Sequence, residues 1–300
     1  MSELWDGGGR GGDGADVRGG GSPLTHPSPR GGEGYTAGTW RVVWSGVADG
    51  ATNMAVDEAI LRAVGSQGAP PTLRLYGWDP PCLSLGRAQA VDDVDWKAVE
   101  TAGYDLVRRP TGGRAILHVD ELTYSVIAPE REPRVAGGVV ESYRRLSAGL
   151  VRGLEVLGVE RIEADERVEN RGAEGPVCFE VPSDYEIAVA GRKLVGSAQM
   201  RARGVVLQHG AVPLHGDIAR ICPLLREHPD PARVRSRATT VEEAVGRQVG
   251  WEEGAEALVE GFAEALNMRL EPGELTAAEV DWAEKLREEK YARRAWTMTI

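Results

Sequence analysis

The sequence predicts an α+β fold with a central mixed, largely antiparallel sheet flanked by helices. Three observations predict it. Short apolar and β-branched runs crowd the first half of the ordered chain, one long amphipathic stripe interrupts them, and the C-terminal third carries two helix start signals. With 300 residues, 42% of them hydrophobic and 27% charged, the chain can bury a substantial core in one domain or slightly more.

Residues 1 to 38 hold 13 of the 39 glycines among Ser, Pro, Arg and Asp, without apolar periodicity. Burial in such a segment cannot offset its ordering entropy, so a disordered extension is expected there and a single ordered unit over 39 to 300. Trp40 to Trp44 reads as a strand. Asn53 can cap a helix in which Val56, Ile60 and Val64 recur every four residues. Strands are expected at Thr72 to Tyr76, Cys82 to Leu85, Tyr104 to Val107, Arg114 to Leu117 and Leu122 to Ala128. Val139, Tyr143, Leu146, Leu150, Leu154 and Leu157 share one helical stripe, which Gly158 is placed to end. Tyr185 to Val189 and Lys193 to Val195 flank Ala190-Gly191-Arg192 and read as a hairpin. Thr239-Thr240-Val241-Glu242 and Thr276-Ala277-Ala278-Glu279 fit the capping-box pattern, and Leu258, Phe262 and Leu266 mark a helix between them.

Composition excludes several function classes. No run of about 18 apolar residues could span a bilayer and the N-terminus lacks the apolar core of a signal peptide, so no membrane association and a cytoplasmic location are expected. A net charge of −11 argues against nucleic acid as a partner. Cys82, Cys178 and Cys222 are too few and too widely spaced for a disulfide framework or a metal site, so free thiols and no metal are expected. Two windows nonetheless lack acids: Leu106 to Val119 carries Arg108, Arg109 and Arg114, and Gly191 to Gly216 carries Arg192, Lys193, Arg201 and Arg203. If they meet, they make a cationic patch able to attract an acidic partner or a phosphate. A solvated basic face is the alternative.

Two loops could carry chemistry. Cys178 in Cys178-Phe179-Glu180-Val181-Pro182-Ser183 precedes Gly191-Arg192-Lys193, and a thiolate beside the Lys193 ammonium would be an activated nucleophile. A small buried hydrophobe is the competing reading of that cysteine. Arg108-Arg109-Pro110-Thr111-Gly112-Gly113-Arg114 joins two strands, and its glycines let the backbone approach a ligand and aim N–H groups at an oxyanion. It lacks the phosphate-loop pattern of nucleotide-binding proteins. A Ser-His-Asp site drawn from Ser197, His118 or His209, and Asp120 or Asp184 lacks a nucleophile elbow, and His209 reads as a hydrogen-bonded residue at a strand end.

In this order and spacing the motifs resemble the lipoate-protein ligase and octanoyltransferase superfamily, related to biotin ligases. The likeness runs from about Trp40 to the C-terminus through Asn53-Met54-Ala55-Val56-Asp57-Glu58, Leu83-Ser84-Leu85-Gly86-Arg87, Arg108 to His118, Glu121-Leu122-Thr123-Tyr124-Ser125, the Cys178 segment, Gly191 to Gln199, and Leu207-Gln208-His209-Gly210. The resemblance implies the biotin/lipoate ligase catalytic fold. Within the superfamily, Cys178-Phe-x-x-Pro-Ser, Gly196-Ser197-Ala198-Gln199 and the Thr-Gly-Gly-Arg loop resemble the cysteine-dependent, LipM-type octanoyltransferase branch. The ligases often place Asp directly after the loop histidine, where here Val119 follows His118.

What the resemblance implies is transfer of octanoate from octanoyl-acyl carrier protein to Cys178, and then to the lysine of a lipoyl domain, foremost the glycine-cleavage H protein. No ATP, metal or other cofactor is implied. Lys193 would stabilise the thiolate and shuttle protons, while Arg109, Thr111, Gly112, Gly113, His118, Gly196, Ser197, Ala198, Gln199 and His209 would bind substrate. Leu75, Leu85 and Ile116 are expected to line the acyl tunnel, and the enzyme is expected to be a monomer. An ATP-dependent lipoate ligase and a non-catalytic acyl-domain binding protein are the alternatives.

Overall fold

The computed structural model describes residues 38–66, 68–165 and 186–299. In chain order the strands are β1 (Gly38–Ala48), β2 (Thr72–Trp78), β3 (Cys82–Leu85), β4 (Asp105–Arg108), β5 (Ile116–His118), β6 (Glu121–Pro129), β7 (Ile162–Asp165), β8 (Glu186–Val189), β9 (Arg192–Ala202), β10 (Val205–Pro213) and β11 (Met268–Pro272). The helices are α1 (Gly50–Ser66), α2 (Trp96–Thr101), α3 (Val139–Val156), α4 (Pro231–Arg237), α5 (Val241–Val245), α6 (Trp251–Ala265), α7 (Ala277–Leu286) and α8 (Arg294–Thr297). Eight strands form one sheet in the order β11-β1-β2-β6-β10-β9-β8-β7, and β4-β3-β5 form a smaller one. Only the β11-β1, β1-β2 and β3-β4 pairs are parallel, so the mixed, largely antiparallel expectation holds.

The large sheet is covered on both faces, so its central strands β2, β6 and β10 are buried at nearly every position even where they carry Arg74, Ser125, Gln208 and His209. Helices α3 and α6 bury Leu146, Leu150, Leu154, Leu258 and Phe262 against Leu73, Leu75, Tyr124 and Val206 on one face. They approach closely because Gly149, Gly153 and Gly261 lack side chains: a Cβ on Gly261 would lie 2.2 Å from the Gly153 nitrogen. Helix α1 covers the other face, packing Met54, Ile60 and Val64 with Ile127, Val205 and Leu207. Helix α7 begins with the expected capping box, Thr276 accepting from the Glu279 amide, and Glu279 also pairs with buried Arg41 of β1 at 2.7 Å.

Several local expectations need correcting. The α1 start is held by Asp49, whose carboxylate accepts the Thr52 amide at 2.7 Å, while Asn53 lies a turn inside and is buried. Helix α5 starts one residue later than the pattern suggests: Thr240 caps it, and Thr239 Oγ1 donates to Glu243. Val139 is half exposed, so the α3 stripe becomes core only from Leu146. The β8-β9 turn falls at Ala190 and Gly191, both in the left-handed region, as the hairpin signal requires.

Candidate active site

Strand register builds one row of side chains across the α1 face of the large sheet. Arg74 of β2 lies opposite Ser125 of β6, which lies opposite His209 of β10, which lies opposite Ala198 of β9. Two residues on, Tyr76, Thr123, Ala211 and Gly196 make a second row. Above these rows sits the small sheet, with Ser84 of β3, Ile116 and His118 of β5, and the loop 109–115. Between the two sheets is a small pocket whose walls include Met54, Trp78, Ser84, Arg109, Gly113, Ile116, His118, Ala198 and His209. Its walls are mostly apolar, and its polar groups are gathered in two histidine arrays.

The first array centres on Asp57 of α1, a fully buried carboxylate. Its Oδ1 accepts from Arg74 Nη1 at 2.7 Å and Ser125 Oγ at 2.9 Å, and its Oδ2 from Tyr76 at 3.0 Å and His209 Nδ1 at 3.2 Å. With Nδ1 donating, Nε2 of His209 accepts the Thr111 hydroxyl at 2.6 Å. Burial pushes the Asp57 carboxyl up, but Arg74 and His209 outweigh it and hold it below the ordinary carboxylate value. Burial wins at His209, which sits below its ordinary value despite Asp57 and is therefore neutral at pH 7.

The second array uses the small sheet. Glu121 Oε1 accepts from His118 Nδ1 at 2.7 Å and from Thr123 Oγ1 at 2.5 Å. Nε2 of His118 then accepts the Ser84 hydroxyl at 2.7 Å, and Ser84 Oγ accepts from Arg109 Nη1 at 3.1 Å. Trp78 stacks on the His118 ring at 4.0 Å between centroids and donates its indole N–H to Thr123 at 2.8 Å. Ser84, His118 and Trp78 all face the pocket.

The glycine loop is held from below by its arginines. Arg109, 2% exposed, donates to the carbonyls of Gly112, Arg114 and Ser84. Arg108, 1% exposed, donates to those of Gly86, Gln89 and Thr297. Gly113 has φ +93, and Gly86 is pressed so near it that a Cβ would lie 1.9 Å from the Gly113 oxygen. Four of the seven cations of the expected patch are engaged within the fold: Arg108 and Arg109 hold the loop, Arg192 pairs with Glu243, and Arg201 serves the carbonyls of Gly137 and Gly138.

Among the expected site residues, the pocket gathers Arg109, Gly113, His118, Gly196, Ser197, Ala198 and His209, with Thr111 behind His209 and exposed Gly112 beside Gly113. Strand alternation splits the Gly196–Gln199 motif. Ser197 Oγ bonds Tyr124 on the opposite face, and Gln199 bonds Ser142 and Gln208 there. The Ser197 hydroxyl is thus engaged by Tyr124 rather than by either histidine, although the residue's backbone stretch borders the pocket, and the expected Ser-His pairs do not form. Lys193 is buried in β9, its carbonyl accepting the Thr239 amide at 3.0 Å. Ile116 lines the pocket, whereas Leu75 and Leu85 belong to the apolar cores on either side. Cys178 lies outside the described residues, as does Asp184. Cys82 and Cys222 are buried and outside any disulfide among the described residues, and burial drives the Cys82 thiol well above its ordinary value. Among the described residues no cluster of His, Cys, Asp and Glu could hold a metal ion, and no helix is long and apolar enough to cross a membrane.

Asp57, Glu121, Trp78 and Ser84 were not legible as site residues. The available signal was Asn53 and Asp57 four apart inside an otherwise apolar helix stretch, since buried polar groups at that spacing demand polar partners.

Comparison with known proteins agrees with this architecture. Residues 49–263 match the family model for the lipoyl protein ligase A/B catalytic domain. Octanoyltransferase LipM of Kyrpidia tusciae is 50% identical over 269 residues, covering 86% of this chain and 98% of its own. Octanoyltransferase LipM of Symbiobacterium thermophilum is 45% identical, with the same coverage of each chain. Among solved structures, the bi-partite lipoate protein ligase described with its E2 lipoyl domain from Thermoplasma acidophilum superposes with a TM-score of 0.70 at 25% identity, over 88% of this chain and 97% of that one. The chain therefore belongs to the lipoyl protein ligase A/B catalytic-domain family, on its octanoyltransferase LipM branch, and is an acyltransferase.

Proposed function

We propose that this acyltransferase moves octanoate from octanoyl-acyl carrier protein to the lysine of a lipoyl domain, foremost the glycine-cleavage H protein, in lipoate biosynthesis. The observation that carries the reading is the largely apolar pocket walled by Gly113 of the glycine loop on one side and Gly196 and Ala198 on the other. Such a pocket suits a short acyl chain, and the glycine-loop backbone at Gly112 and Gly113 suits a carbonyl oxygen that gains charge in the transition state. Cys178 is the nucleophile: its thiolate attacks the thioester carbonyl, the carrier thiol leaves, and the lysine amine then displaces Cys178 to form an amide. Exchange of one thioester for another is nearly isoenergetic, so the reaction runs without ATP, metal or other cofactor. Lys193 stabilises the thiolate. Arg109, Thr111, His118 and His209 shape the pocket, and the enzyme works as a cytoplasmic monomer through residues 39 to 300.

The test is octanoylation of a purified lipoyl domain from octanoyl-acyl carrier protein without ATP, followed by mass spectrometry of the acceptor. Activity should persist in Cys82→Ser and Cys222→Ser and vanish in Cys178→Ser. Full activity in Cys178→Ser, together with a requirement for ATP and free lipoate, would favour the ligase reading that the T. acidophilum neighbour suggests.

A further inference from the structure

We infer that Ser84, His118 and Glu121 form the proton acceptor for the amide-forming half of the reaction, an inference that rests on the thioester reading above. The three side chains make a hydroxyl-imidazole-carboxylate line with two contacts of 2.7 Å, and two of them open on the acyl pocket. Aminolysis needs such a group. When the lysine amine attacks the thioester carbonyl, a C–N bond forms, the C–S bond breaks with its electron pair going to sulfur, and the nitrogen must lose a proton. The Ser84 hydroxyl takes that proton while passing its own to His118 Nε2. The imidazolium later gives it to the departing thiolate or to water.

The two histidine arrays differ in the one respect that decides between them. Asp57 is already neutralised by Arg74 at 2.7 Å, so it gives little net charge to support a cation on His209. Among the described residues the ion-pair partner of Glu121 is His118, and its other hydrogen bond comes from a neutral hydroxyl. A proton on His118 would thus complete a charge pair, while one on His209 would add an unbalanced buried charge. Trp78, stacked on the imidazole, fixes the ring plane so that Nε2 stays on Ser84. Arg109 keeps the Ser84 lone pair oriented and favours any negative charge that develops on Oγ. Glu121 and Trp78 are positioning residues, and Ser84 and His118 carry the proton.

The experiment separates the half-reactions. Wild type, Ser84→Ala, His118→Gln and Glu121→Gln are loaded with octanoate from a thioester donor, and single-turnover discharge is followed by intact mass with two acceptors. One is the lipoyl-domain lysine. The other is a small thiol at a pH where it is largely thiolate, which needs no base. In each variant discharge to lysine should slow by about 100-fold more than loading and discharge to the thiol do, the common scale of general-base loss, because a change in pocket shape acts on both discharges alike. Slowing of both discharges to the same degree would assign the array a structural role and overturn the inference, as would unchanged discharge to lysine. If His118→Gln does not fold, Ser84→Ala and Glu121→Gln carry the same comparison. A wild-type enzyme that never loads would instead defeat the thioester reading.

Discussion

Replacing Arg74 by Met tests how the pocket floor is held. The side chains of Arg74 and Asp57 are 1% and 0% exposed, and the guanidinium also donates to Asn53 Oδ1, the Asn53 carbonyl and Ser45. Methionine fills similar volume but leaves the Asp57 charge buried without its cation, a loss expected to cost about 3 to 5 kcal/mol. The pH dependence gives a sharper signature. In the wild type the folded-state carboxyl lies below its ordinary value of 3.8, so its stabilisation is present above that pH and is lost as pH falls through the folded value. Without Arg74, burial dominates and the folded value rises above 3.8. Stability is then lost as pH rises through that window, because the folded state binds the extra proton. Urea denaturation of both proteins between about pH 4 and pH 7 should show a deficit that is largest near neutrality and shrinks on acidification. Adding Asp57→Asn should recover part of the loss, since no unpaired charge remains. A deficit below about 1 kcal/mol, or one that does not change with pH, would refute the reasoning.

Two further outcomes follow from named contacts. Gly86→Ala places a methyl against the Gly113 oxygen, so the glycine loop must shift; stability should fall by about 1 to 3 kcal/mol by urea titration, and acyl transfer should drop by more than the unfolded fraction explains. His209, held neutral by burial, binds its proton more readily in the unfolded chain. Stability should therefore be full above about pH 6.5 and decline as pH falls below it, with a flatter slope in His209→Gln by urea titration.

The parts of this fold that were legible in the sequence are those set by local rules. The Ala190-Gly191 turn, the Thr276 capping box and the α3 stripe each rest on backbone or periodic preferences that tertiary structure leaves intact. Failures occur where a long-range partner decides. Asn53 is a good cap in isolation, yet Asp49 reaches the Thr52 amide and frees Asn53 to bind Arg74 and the Gly77 carbonyl inside the protein. Arg108 and Arg109 read as surface charge because the carbonyls that satisfy them are aimed inward only once the glycine loop, strand β3 before it and, for Arg108, a C-terminal helix have come together. The site was half legible for the same reason. Thr111, His118 and His209 stand out in loops and strands, but Asp57 acquires its role toward His209 only when α1 packs on β10, and Glu121, three residues from His118, faces it only because the β5-β6 turn brings the two side chains together.

The most direct measurement is the intact mass of the purified enzyme after incubation with octanoyl-acyl carrier protein in the absence of ATP. One added octanoyl group, released by neutral hydroxylamine and mapped by peptide mass to Cys178, is the predicted result. An unmodified enzyme that nonetheless octanoylates a lipoyl domain, or an adduct on another residue that survives in Cys178→Ser, would contradict it.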